Sequence, residues 1–240
     1  MIKIASKVLS NIANMKSVKL FCSIISILAT VVFLPLQMKA QGSRDNPALD
    51  EKVKKFLTDH SGQWHDMNVP ASDGKILYDL IIKGNYKNAL EIGTSTGYSG
   101  IYIAWALSKT GGKLITIDID ETRHKIALQN FEKAGLSKYI DARLANAHSL
   151  VKELEGPFDF VFSDADKNWY KNYFIDLDPK LKVGGCYTTH NISDRSSRYG
   201  RRGGYGGEGD YLEYVRSLKN YESTLQPGSS LLISYKISQK

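Results

Sequence analysis

The stretch that most constrains the fold is Ala89-Leu90-Glu91-Ile92-Gly93-Thr94-Ser95-Thr96-Gly97-Tyr98-Ser99. It reads as a buried strand, a tight turn carrying two glycines, and the start of a helix. Ala89, Leu90 and Ile92 suit a central parallel strand. Gly93 and Gly97 let the backbone turn sharply and approach a ligand. Thr94, Ser95, Thr96 and Ser99 place hydroxyls and backbone N–H groups at a helix N-terminus, where an anionic group is favoured. Glu91 is an acid at the strand's carboxyl end and is costly to bury without a donor or cationic partner. A phosphate cradle is poorly served by that charge, whereas a ligand bearing an ammonium group fits it.

A second apolar strand, Leu114-Ile115-Thr116-Ile117-Asp118-Ile119-Asp120, again ends in acids. In nucleoside-binding α/β folds an acid at the end of the second strand accepts from ribose hydroxyls. The distance from Gly93 to Asp118 leaves room for one helix. Either feature alone has a bland reading, a turn or a helix cap; in this order they point to a nucleoside site.

Downstream, strand and helix patterns alternate. Helices are expected over 100–109, 121–134 (stopped by Gly135), 149–155 and 169–177, and strands over 140–144, 158–162 and 184–189. Before the turn, Pro47 to His60 reads as a helix capped by Asn46, and Ser72 as the cap of a helix with Ile76, Leu77, Leu80 and Ile81 inward. A helix over 211–218 and strands over 221–225 and 231–237 close the chain. The expected architecture is α/β: a Rossmann-like, doubly wound, mostly parallel seven-stranded sheet with an antiparallel C-terminal strand and helices on both faces. Residues 193–210, rich in Arg195, Arg198, Arg201, Arg202 and glycine, read as a surface loop or as a lid with Tyr199 and Tyr205 as contacts.

Charge excludes one class of partner. The chain of 240 residues has a net charge of +7, but five lysines lie in the first forty residues, which contain no acid. Without those five the 32 bases become 27, against 25 acids. A near-neutral body gives no electrostatic case for nucleic acid. The basic start, the apolar run Leu20 to Leu36 and Ala40 before a cut follow the layout of a secretory signal. Residues 1–40 are therefore expected to be a signal peptide or an uncleaved membrane anchor touching lipid through 20–36, and 41–240 the functional domain. The body would be exported, periplasmic or membrane-anchored; a misread leader would leave it cytoplasmic. Cys22 falls in the leader, so Cys186 has no partner within the body and reads as a small core residue.

Ligands of open α/β sheets gather beyond the carboxyl ends of the strands. There this chain carries Glu91, Asp118, Asp164, Asp166, Lys167, His190 and Asn191. Asp164, His190 and Asn191 make a partial shell for a divalent cation, or else a helix cap and a backbone-bonded histidine. Lys167 is a candidate general base. His60, His65, His124 and His148 lack companions at ligand spacing. The turn has only Gly93 and Gly97, not the G-x-G-x-x-G of nicotinamide-dinucleotide enzymes.

From about Asn68 to Lys236 the chain resembles the cation-dependent O-methyltransferase family, which includes catechol and caffeoyl-CoA O-methyltransferases. EIGTSTGYS, LITIDID, FDFVFSDADKNWY and LLISYK carry the resemblance. It implies S-adenosylmethionine as cofactor, with Val69, Glu91, Gly93 and Ser99 at the methionine part and Ser95 and Gly97 in the same turn. It further implies Asp118 at the ribose and Asn146 and Ala147 along the adenine. Asp164 would serve cofactor, metal and catalysis, His190 and Asn191 the metal, and Lys167 as base. Mg²⁺, Mn²⁺ or another divalent ion would polarise the hydroxyl of a small, aromatic or catechol-like acceptor. A homodimer is an expectation left open. One departure matters: the family usually has Asp-Asn where this chain has His190-Asn191. Imidazole removes a negative charge and softens the site, which disfavours Mg²⁺, favours Mn²⁺, Fe²⁺, Zn²⁺ or no metal, and keeps a non-catalytic nucleoside-binding protein as the alternative. Export also sets the body apart from the cytoplasm, where that cofactor is made.

Overall fold

The computed structural model describes residues 46–64, 67–193 and 207–239. The leader with its cut after Ala40, His65, and the arginine- and glycine-rich stretch at 194–206 lie outside them. Among the described residues no helix is long and apolar enough to cross a membrane.

Seven strands form one sheet: β1 (Asn88–Ile92), β2 (Lys113–Asp118), β3 (Ile140–Leu144), β4 (Phe158–Ser163), β5 (Leu181–Thr189), β6 (Tyr221–Leu225) and β7 (Leu232–Lys236). Their order is β3-β2-β1-β4-β5-β7-β6. The first five are parallel, and β7 is antiparallel to both of its neighbours. The order reverses between β1 and β4, and that reversal opens a crevice at the carboxyl ends.

The helices are α1 (Pro47–Asp59), α2 (Ala71–Gly84), α3 (Tyr98–Thr110), α4 (Glu121–Ala134), α5 (Ala147–Glu153), α6 (Tyr170–Leu177) and α7 (Gly207–Ser217). The Asn46 side chain accepts from the Leu49 N–H, with Pro47 in the first turn, as its sequence suggests. Ser72 is not a cap: α2 begins at Ala71 with Pro70 as its flanking residue, which places Ser72 and Asp73 inside the first turn. Helix α7 begins at Gly207, so the last residues of the expected 193–210 loop are helical. The two glycines of that first turn disguise its start in the sequence.

Side chains alternate across the sheet with the period of a strand. Leu90, Ile92, Val161 and Tyr187 pack under α5, α6 and α7. Ala89, Phe160, Phe162 and Cys186 pack under α2 and α3 on the other face. Burying each large apolar side chain contributes about 1.5–3 kcal/mol, so a two-faced core is the main stabiliser of the sheet. Cys186 is fully buried, as expected of a core residue, and burial pushes its thiol pKa up.

Candidate functional site

The turn after β1 is held by three backbone devices. Gly93 has φ +99°, and a Cβ there would meet the Asp164 carbonyl oxygen at 2.7 Å. Gly97 has φ +94°, and a Cβ there would meet the Phe131 ring at 2.7 Å. Both positions therefore demand glycine for conformation and for space. The Gly93 N–H donates to the Ile117 carbonyl at 2.9 Å, so the turn stays attached to β2.

Glu91 lies beneath this turn. The parallel register sets it opposite Thr116. The Thr116 hydroxyl donates to Oε2 at 2.5 Å and the Ser99 hydroxyl to Oε1 at 2.6 Å. The side chain is fully buried, and burial pushes its pKa up to about 7. The two hydroxyls pull in the opposite direction, and the nearby Asp164 and Asp118 charges add to the rise. Hydroxyl donors, not a cation, thus answer the cost of burying this acid.

Asp118 ends β2 with both oxygens engaged. Oδ2 accepts from the Ser95 N–H at 2.7 Å and Oδ1 from the Asp120 N–H at 2.8 Å. Those bonds fix the carboxylate's direction and leave lone pairs for further donors. Ser95 is itself held in the left-handed region, φ +48°.

A pocket of about 520 Å³ opens above these strand ends. Gly93, Ser95, Asp118, Asp164, Lys167, His190 and Asn191 line it, together with Asn68 and Arg123. An adjoining pocket of about 210 Å³ is lined by Asn146, Ala147 and His148. The expected residues that line these two pockets come from the ends of the five parallel strands, β1 to β5. Val69, Glu91, Gly97 and Ser99 lie outside both linings, and Val69, Glu91 and Ser99 are buried. Asn146 also caps α5, accepting from the His148 N–H at 2.9 Å.

Three residues escaped the sequence reading. His148 stacks on Trp169 with centroids 4.1 Å apart and bonds to Asp166 at 2.8 Å. Its signal was hidden because Asp166 and Trp169 lie in another segment. Arg123, on the first turn of α4, faces the large pocket. Asp73 is the third. It is 3 % exposed and meets His190 Nε2 at 3.1 Å. On the other side of the ring, Asp164 Oδ2 lies 3.1 Å from Nδ1. Burial works against a charged imidazole here, but Asp164 and then Asp73 outweigh it, and the His190 pKa is raised.

That row bears on the cation. Each ring nitrogen of His190 faces a carboxylate, and the two nitrogens point to opposite flanks of the ring. Among the described residues no group of three His, Cys, Asp or Glu side chains is arranged to hold a metal ion. Asp164, His190 and Asn191 line the same pocket, but with both ring nitrogens of His190 facing carboxylates the set offers an ion only the Asp164 and Asn191 oxygens. Lys167 lies at the rim, about half exposed, with Nζ 3.6 Å from Glu208 on α7.

Comparison with known proteins places this geometry. A family model described as O-methyltransferase matches residues 39–194. Caffeoyl-CoA O-methyltransferase 1 of Eucalyptus globulus is 39 % identical over 127 residues, covering 51 % of each chain. Caffeoyl-CoA O-methyltransferase of Pinus taeda is 40 % identical over 134 residues, covering 53 % of this chain and 51 % of that one. The chain thus spans about half the length of the curated relatives it matches. Among solved structures, the O-methyltransferase from Bacillus cereus in complex with SAH superposes with TM-score 0.66 at 25 % identity, covering 80 % of this chain and 91 % of that one. The O-methyltransferase TomG from Streptomyces achromogenes, in complex with SAM, shares the fold, with TM-score 0.66 at 23 % identity over 78 % and 90 % of the two chains. With the family model spanning more than half its length, the chain belongs to the O-methyltransferase family.

Proposed function

We propose that this protein transfers the methyl group of S-adenosylmethionine to a hydroxyl of a small aromatic acceptor. The observation that carries the reading is Asp118, a carboxylate aimed by two backbone N–H groups into a 520 Å³ pocket at the point where strand order reverses. Family membership and the SAH and SAM complexes of its structural neighbours support the cofactor. The names of its sequence relatives support a phenolic hydroxyl as acceptor.

In this reading Asp118 takes the ribose hydroxyls, and Asn146 and Ala147 flank the adenine in the smaller pocket. The reaction is an in-line displacement: the sulfur–methyl bond breaks as the oxygen–methyl bond forms. Its rate depends on holding the two centres aligned. The acceptor's proton passes to a rim base, for which Lys167 is the candidate when its amine is neutral. Asp164, hydrogen-bonded to His190 and three residues before Lys167 in the same segment, orients the hydroxyl. No step is routed through a divalent ion.

Calorimetry with S-adenosylhomocysteine, followed by methyl-transfer assays on a panel of catechols and monophenols, tests this. Binding with turnover is the expected result. Binding without turnover on any hydroxyl would favour a nucleoside-binding role, and no binding would remove the reading altogether. We also propose export by the leader, to be checked by cell fractionation and by sequencing the mature amino end.

A further inference from the structure

We propose that this methyltransferase site works without a divalent cation, because His190 commits both ring nitrogens to carboxylates and stands as a bridge between Asp73 and Asp164. The inference rests on the methyl-transfer reading only where turnover is concerned; the exclusion of the ion is a property of the fold.

The bridge ties three separated segments together: the first turn of α2 (Asp73), the end of β4 (Asp164) and the end of β5 (His190). Nε2 reaches Asp73 Oδ2 and Nδ1 reaches Asp164 Oδ2, each at 3.1 Å. Side-chain exposures are 8 % for His190, 3 % for Asp73 and 14 % for Asp164, so water does little to loosen the row. The ring nitrogens lie on opposite flanks, and the two carboxylates they join therefore do not face a common point with the ring. A metal-bound histidine offers one nitrogen as a lone pair to the ion and uses the other for an orienting partner. Here both directions are already taken.

What remains is meagre. Asp164 keeps Oδ1, which the Tyr170 hydroxyl approaches only at 3.5 Å. Asn191 keeps its exposed amide. One carboxylate oxygen and one amide oxygen would leave an octahedral ion mostly water-bound and easily lost. An aspartate at position 190 would change this. Three carboxylates would then crowd together, and like charges so close cannot all ionise without a cation between them. The imidazole instead places one ring nitrogen 3.1 Å from each neighbour and adds no third carboxylate to the row.

The test uses the purified protein freed of metal with a chelator and titrated with Mn²⁺ alone, read by the electron paramagnetic resonance of free Mn²⁺. Less than a tenth of an equivalent bound at 100 µM Mn²⁺ is expected, on the order of what two weak oxygen donors hold. One equivalent bound would overturn the proposal. In a folded His190→Asp variant, one equivalent of Mn²⁺ should bind, at least tenfold more than in the wild type; no gain would show that His190 is not what excludes the ion and would also overturn it. Should H190D not fold, the wild-type titration decides alone. Where an acceptor is turned over, excess chelator should leave the rate within twofold, and a loss greater than tenfold would count against the proposal. Calorimetry with S-adenosylhomocysteine on the same sample reports the cofactor reading separately.

Discussion

The Ser95 backbone N–H and the Asp118 Oδ2 meet at 2.7 Å, joining the turn after β1 to the end of β2. Asp118 thereby holds the turn and faces the pocket at once. Replacing it affects both. Asp118→Ala should weaken S-adenosylhomocysteine binding at least tenfold in calorimetry. It should also lower stability by about 1–3 kcal/mol in urea, since two N–H groups lose their acceptor. Unchanged affinity would place the nucleoside elsewhere.

Glu91 should make the stability of the ligand-free protein pH-dependent. Its folded pKa of about 7 lies above the usual value of 4.5. The native state therefore holds a proton that the unfolded chain gives up earlier, and stability falls as pH rises from 4.5 through 7. The shift corresponds to ~3 kcal/mol. Denaturation curves at pH 5 and pH 8 would measure it. Glu91→Gln should flatten this part of the profile, because an amide carries no proton to lose.

Lys167 at the pocket rim should matter to turnover more than to cofactor binding. Lys167→Met is expected to lower kcat roughly 10²–10⁴-fold, the usual contribution of a positioned base. S-adenosylhomocysteine affinity should stay within about threefold, on the order of what an exposed ion pair contributes. A kcat near wild type would move the base role to another group.

The buried Lys236 anchors the antiparallel end of the sheet. Its ammonium donates to the Asp178 carbonyl at 2.6 Å and the Leu181 carbonyl at 3.2 Å, and lies 3.0 Å from Asp178 Oδ1. The Tyr221 hydroxyl donates to the same Oδ1 at 2.7 Å. Lys236→Met should destabilise by about 3–5 kcal/mol, because the buried Asp178 would lose the ammonium that lies 3.0 Å from it. Thermal denaturation of the single variant and of a Lys236→Met/Asp178→Leu pair would show the pair less damaged than the single.

The sequence by itself determined the alternation of elements and most of the strand ends where polar groups collect. Periodicity and glycine placement report on neighbours in the chain, so β3 at 140–144 and the stop of α4 at Gly135 were legible. The Gly93 and Gly97 turn was equally plain, because only glycine fits a positive φ beside another segment's backbone or ring. The helix starting at Ala71 rather than at a Ser72 cap was not legible, since capping preference is weaker than the packing of Leu77 and Ile81 against the sheet. Tertiary structure alone decided what His190 does. Asp73 stands 117 residues away in the chain, and no local pattern announces a contact that exists only after α2 has docked beside the end of β5.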